Sequence, residues 1–118
     1  MNATGLSTEV RRLDARTAVI DIKGEITSAA GPVLTEAYES AGIPGTEVVA
    51  LNFTDLDYMN SGGIGMLVTL LVRVRRQKQK LAAFGLTDHY AQIFELTRLD
   101  EAIAIHSDEQ SLLAAVTR

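Results

Sequence analysis

Apolar residues along this chain switch between alternation over short stretches and three-to-four spacing over longer ones, and the switching predicts strands and helices in turn. Residues 6 to 13 and 16 to 23 read as a strand pair around Asp14-Ala15, the second strand alternating about Val19. Gly24-Glu25-Ile26-Thr27-Ser28 is expected to break that strand. Pro32, Val33, Leu34, Ala37, Tyr38 and Ala41 then fall at helical spacing, closed by Gly42 and Pro44. A buried strand is predicted over 46 to 53, a helix over about 62 to 77 and a short strand over 81 to 86. Thr87 or Asp88 caps a helix running through Leu96, residues 102 to 106 form a short strand, and Ser107 caps a final helix. The order is ββαβαβαβα. It implies the α/β class, with right-handed crossovers, a mostly parallel central sheet behind an N-terminal hairpin, and helices over its faces. With no repeat, linker or low-complexity segment, a single domain is expected over 1–118, its core at about 6–117.

The most informative stretch is Met59-Asn60-Ser61-Gly62-Gly63-Ile64-Gly65, between the buried strand and a strongly apolar helix. Ser61 falls where the helix should begin, and two roles suit it. Its hydroxyl can be the N-cap, worth about 1 kcal/mol. The same position offers an anion the free N–H groups of the first turn and the positive end of the helix dipole, with glycines allowing close approach. Advancing 100° per residue puts Ile64, Leu67, Val68, Leu71 and Val74 on the face expected against the sheet. Met66 projects the other way, with Leu70 at the margin. Met66 is then either an adaptable contact surface beside the turn or a residue covered by a loop or neighbouring helix.

Composition narrows the classes of function. At 118 residues and 47% hydrophobic content the chain can build a core without a staple, and having no cysteine it excludes disulfides, thiolate nucleophiles and cysteine-ligated zinc. A net charge of −4 argues against nucleic acid as the main partner. Met1-Asn2-Ala3-Thr4-Gly5 lacks the basic and apolar regions of a signal peptide, and no apolar run approaches bilayer length, so no membrane role and a soluble, cytoplasmic setting are expected.

Catalytic candidates are few. His89 and His106 fall on different predicted elements without ligand spacing, and no partner acid or nucleophile can be assigned to Glu25, which is placed in a partner-facing loop. Arg73, Arg75, Arg76, Lys78 and Lys80 scatter around a helix end, where cations favour the dipole. Gly63-Ile64-Gly65 is not followed by the Lys-Ser or Lys-Thr pair of a P-loop. No metal, cofactor or enzymatic activity is expected.

Four segments together resemble the STAS domain, and most closely the single-domain bacterial anti-sigma factor antagonists. The family pattern around its phosphorylated serine runs Asp-Leu-x-x-Met-Asp-Ser-(Ser/Thr)-Gly-(Leu/Ile)-Gly. Here it reads Asp55-Leu56-Asp57-Tyr58-Met59-Asn60-Ser61-Gly62-Gly63-Ile64-Gly65. Gly24-Glu25-Ile26, Pro32-Val33-Leu34 and Ile93-Phe94-Glu95-Leu96-Thr97-Arg98-Leu99 follow the family order. The resemblance implies a STAS-like fold and a partner-switching role in bacterial transcription regulation. Ser61 would be phosphorylated by an anti-sigma factor that is also a serine kinase with a histidine-kinase-like fold, and dephosphorylated by a PPM-type serine phosphatase. Gly24, Glu25, Thr27, Asp57, Met59, Asn60, Ser61, Gly62, Gly63, Met66 and Leu70 would make the partner-binding surface.

Two positions depart from the pattern. Asn60 keeps the shape and acceptor of the usual aspartate without its charge, and Gly62 loses a hydroxyl while allowing closer backbone approach. Both bear on which kinase is recognised. Two other readings stand beside the antagonist: a STAS scaffold or partner-switch regulator of a complex without a sigma factor, and a small-ligand-binding module. A short open sheet also leaves homodimerisation open.

Overall fold

Asp14 sets the first turn. Its carboxylate accepts the Arg16 N–H at 2.8 Å and the Leu13 N–H reaches the Thr17 carbonyl at 3.0 Å, folding β1 (Leu6–Arg12) back on β2 (Thr17–Ile26). The pair is antiparallel, with Val10 opposite Ile20. The computed structural model describes residues 5–116, so residues 1–4, on which the reading of a missing targeting segment rests, lie outside it, as do 117–118.

Beyond the hairpin the chain alternates α1 (Gly31–Ala41), β3 (Val48–Met59), α2 (Ser61–Arg76), β4 (Lys80–Phe84), α3 (Asp88–Leu96), β5 (Ala104–His106) and α4 (Glu109–Val116). Short 3₁₀ turns precede α1 and β5. The sheet order is β1-β2-β3-β4-β5, parallel from β2 onward. Because each crossover advances one strand in the same direction, α1, α2 and α3 come to lie on one face. There Ala18, Ile20, Ile22, Val49, Leu51 and Phe53 bury against Leu34, Tyr38, Leu67, Leu71, Val74 and Phe94. Among the described residues α4 is the helix that covers the opposite face, closing Leu112 over Val19, Ala50, Ala82 and Phe84. Arg11 ties it down, bonding Asp21 at 2.9 Å and Glu109 of α4 at 2.6 Å.

The predicted order of elements is the observed one, and several boundaries move. Gly24-Glu25-Ile26 does not break β2. Gly24 sits at a bulge with φ +106°, where a side chain would run into the Gly5 carbonyl, and pairing with β3 resumes through Ile26 opposite Met59. β3 accordingly runs to Met59 rather than ending near 53. β4 begins and ends earlier than the predicted 81 to 86, Gly85 turning the chain beside Thr54. Thr87, not Asp88, caps α3. Ser107 does not cap α4, because the Asp108 carboxylate takes the Ser111 N–H at 2.8 Å and the Ser107 hydroxyl meets only that of Ser111.

Candidate functional site

The serine turn is built where β2 and β3 end side by side. The Asn60 N–H donates to the Ile26 carbonyl at 3.2 Å, and its side-chain oxygen accepts the Gly63 N–H at 2.9 Å. The Asn60 carbonyl then takes the Ile64 N–H at 3.0 Å, the first helical bond of α2. Asn60 is therefore the N-cap. This corrects the assignment of Ser61, which is the first residue inside the helix, with its side chain exposed. The physical reason is reach: an Asn60 amide oxygen spans to the third N–H of the turn and uses the capping geometry first. The Ser61 hydroxyl is left without a structural bond among the described residues, and the Ser61 and Gly62 N–H groups lack intrahelical acceptors.

Packing explains the glycines that follow. A Cβ at Gly63 would lie 2.7 Å from the Ile26 carbonyl carbon and overlap its oxygen. Only glycine lets α2 start this close to the end of β2. At Gly62 the space for a side chain is taken by Ser28, whose Cβ and N would be 3.0 and 3.1 Å away. Ser28 belongs to the 3₁₀ turn Ser28–Ala30, capped by Thr27 through the Ala29 N–H at 3.2 Å. Ser28 was not singled out from the sequence, and no spacing signals it.

The expected partner-binding residues divide by burial. Ser61, Asp57 and Glu25 are exposed, while Thr27, Asn60, Gly62, Gly24 and Met66 are half-buried around them. Met59 and Leu70 are 5% and 4% exposed, and Gly63 is buried. All three are packed within the chain, Met59 at the end of β3, Gly63 against the end of β2 and Leu70 in the middle of α2. Met59 also donates its N–H to the Tyr90 hydroxyl at 2.9 Å, which brings α3 to the site. Tyr90 was missed in the sequence because a tyrosine in a helix's first turn reads as an ordinary packing residue.

The face of α2 is turned relative to expectation. Gly63, Leu67, Leu70, Leu71 and Val74 are its buried residues, whereas Val68 is 42% exposed. Met66 packs partly against the core beside Gly31, so a neighbouring helix covers one side of it. Along the last stretches of β2 and β3 that lead to the turn, Glu25, Asp55, Asp57 and the Tyr58 ring are exposed. His89 and His106 stand on α3 and β5, and among the described residues no cluster of His, Asp or Glu is arranged to hold a metal. No helix of the described residues is long and apolar enough to cross a membrane.

Comparison with known proteins agrees with this architecture. The family described as "Mlab, STAS domain" matches residues 10–113. The anti-sigma-B factor antagonist of Listeria monocytogenes is 31% identical over 104 residues, covering 88% of this chain and 91% of that protein. Among solved structures, an anti-sigma factor antagonist from Mycobacterium paratuberculosis superposes with a TM-score of 0.81 at 17% identity, covering 99% of this chain and 98% of that one. The Bacillus cell fate determinant SpoIIAA, solved in a phosphorylated form, gives a TM-score of 0.63 at 15% identity over 92% of this chain and 99% of its own. The sheet order, the glycine-bound turn at Ser61 and these matches place the chain in the STAS domain family.

Proposed function

We propose that this protein is an anti-sigma factor antagonist that binds an anti-sigma factor with serine kinase activity and is switched off by phosphorylation of Ser61. The observation that carries this reading is the Ser61 hydroxyl itself: exposed, at the first position of α2, and free of the capping bond that Asn60 makes instead. Modifying it removes no bond that holds the helix. The name of the Listeria relative and the phosphorylated form of SpoIIAA support the same reading.

The switch works through charge at a fixed surface. Phosphate adds about −1.5 to −2 charge at neutral pH. The N–H groups of Ser61 and Gly62 and the helix dipole accommodate it within the chain. Facing outward at the exposed Ser61, it opposes docking on a partner that presents its own acidic or nucleotide groups. Inverting a 1:99 occupancy takes roughly 5.5 kcal/mol. One unit-charge pair at about 4 Å supplies on the order of 4 kcal/mol at an effective dielectric near 20, so a doubly charged group suffices without refolding. A PPM-type phosphatase would restore the docking form, and the cytoplasm is the setting such a cycle requires.

Incubation with histidine-kinase-like serine kinases and ATP, followed by mass spectrometry, tests the reading. Phosphate is expected on the Ser61 peptide and absent from Ser61→Ala, and Ser61→Asp should lose kinase binding. A Ser61 peptide that stays unmodified with every such kinase would rule the reading out.

A further inference from the structure

The chain has no cysteine, so its sulfur chemistry falls to three methionines, Met1, Met59 and Met66. Met1 lies outside the described residues. Met59 is 5% exposed at the end of β3. Met66 differs. Half-buried on α2, it lies against the core on one side and on the other lines an open groove of about 640 Å³ between α1 and α2. Small solutes in water reach the thioether there.

The Met66 sulfur is also a packing contact. A Cβ at Gly31 would lie 3.1 Å from its Sδ, and apart from its own stretch of chain no other atom of the described residues stands within 4 Å of that point. Gly31 has helical dihedrals, φ −48° and ψ −56°, that any residue adopts, so the thioether is what its missing side chain makes room for. Gly31 follows directly on the 3₁₀ turn Ser28–Ala30, and Ser28 fills the space beside Gly62. Sulfur, Gly31, the 3₁₀ turn and Gly62 thus make a continuous path of contact from Met66 back to the residue after Ser61. Its sulfur end borders the groove.

We propose that Met66 is an oxidation site and that its sulfoxide lifts the 3₁₀ turn from Gly62, resetting the surroundings of Ser61 without touching its hydroxyl. The oxidant is a peroxide. A lone pair of Sδ attacks one peroxide oxygen, the O–O bond breaks as the S–O bond forms, and the second oxygen leaves as water with both protons. Sulfur loses two electrons and the peroxide gains them. The product replaces a flexible apolar group by a polar, chiral one. Its oxygen is desolvated against Gly31 and hydrated in the groove, so it turns outward and draws the sulfur off Gly31. Methionine sulfoxide reductases reverse the step, one enzyme for each epimer. The inference is independent of which partner docks at Ser61.

Hydrogen peroxide is added to the intact protein, and the site of each added oxygen is read by fragmentation mass spectrometry. Met66 should be oxidised at least about fivefold faster than Met59. In isotope-labelled protein, oxidation should shift the amide signals of Ser28, Ala29, Gly31 and Gly62 and leave those of α4 in place. The melting temperature should fall by about 3 to 6 °C, and both reductases together should restore the first spectrum. Met66→Leu, close in volume, should keep the untreated fold and show none of these shifts with peroxide. Met66→Gln, polar without an oxidant, should reproduce them. If Met66→Leu fails to fold, reversal by the reductases carries the test alone. Oxidation of Met59 as fast as that of Met66, or a Met66 sulfoxide that leaves the Ser28 and Gly62 signals in place, overturns the proposal. Shifts that persist in peroxide-treated Met66→Leu trace to Met1 or Met59 and overturn it as well.

Discussion

Replacing Asn60 by alanine removes the side-chain acceptor 2.9 Å from the Gly63 N–H, while the backbone bonds of Asn60 to Ile26 and Ile64 survive. One cap is lost, and nothing else changes shape. Loss of an asparagine cap costs about 1 kcal/mol, within roughly 0.5 to 2. For a domain of this length that lowers the melting temperature by about 3 to 6 °C. A graded series sharpens the expectation. Asn60→Gly should cost only a few tenths of a kcal/mol, since water reaches the freed N–H more easily. Asn60→Asp should match or exceed the native protein, its carboxylate keeping the bond and gaining about 0.3 to 1 kcal/mol from the helix dipole. Ser61→Ala should fall within about 0.5 kcal/mol of native, as an exposed side chain outside the cap does. Urea titration followed by circular dichroism measures all four. If Ser61→Ala proved as damaging as Asn60→Ala, the cap assignment would fail, and with it the reasoning that phosphorylation leaves the helix intact.

Three further outcomes follow from the geometry. Gly63→Ala forces a methyl group into the Ile26 carbonyl and should cost about 3 kcal/mol by urea denaturation; a change under about 1 kcal/mol would mean that α2 starts further from β2 than described. Tyr90→Phe strips the buried Met59 N–H of its acceptor and should destabilise by about 1 to 3 kcal/mol, with faster amide exchange at Met59 as the specific readout. The hydrogen bond from Arg11 holds the Asp21 carboxyl below the usual carboxylate range, helped by Asn52 and opposed by partial burial. A depressed folded-state value contributes stability above the unfolded one and loses it as pH falls through the folded value. The deficit of Asp21→Asn, clear at pH 7, should thus close below about pH 4, and a deficit constant down to pH 2 would contradict the pairing.

The order of elements was legible because α1 keeps helical spacing through Leu34, Ala37, Tyr38 and Ala41, while β2 shows as a short apolar run; the alternation expected about Val19 is absent, since Thr17 to Ile20 are buried on both faces of the sheet. The end of β3 was not legible. Thr54, Asp55, Asp57 and Tyr58 are exposed, and the strand is carried there by pairing with Glu25 and Ile26, across a register shift that destroys alternation. Long-range pairing of this kind leaves no local mark. On α2, Ile64-Leu67-Val68-Leu71-Val74 and the observed Gly63-Leu67-Leu70-Leu71-Val74 satisfy the same spacing and differ by a rotation of about 50°. Gly63 decides between them, and hydrophobicity gives glycine no weight although a side chain at this position would overlap the Ile26 carbonyl. At the site, the motif located Ser61 and its neighbours, but the assignment of the cap depended on distances. Met59 stands beside the turn and Leu70 at the margin of the expected α2 face, and at both places an apolar side chain reads the same whether it faces in or out.

The sheet never reverses its strand order, so it has none of the crevice that opens at a switch point in doubly wound folds. Ser61 stands on a rim open to bulk water instead. A phosphoryl group carried there needs no opening motion of the domain to be added or removed, and two opposing enzymes would meet the same unobstructed atom. The lifetime of each state would then be set by the enzymes that write and erase it, and the protein would act as a passive memory whose retention time lies outside its own fold.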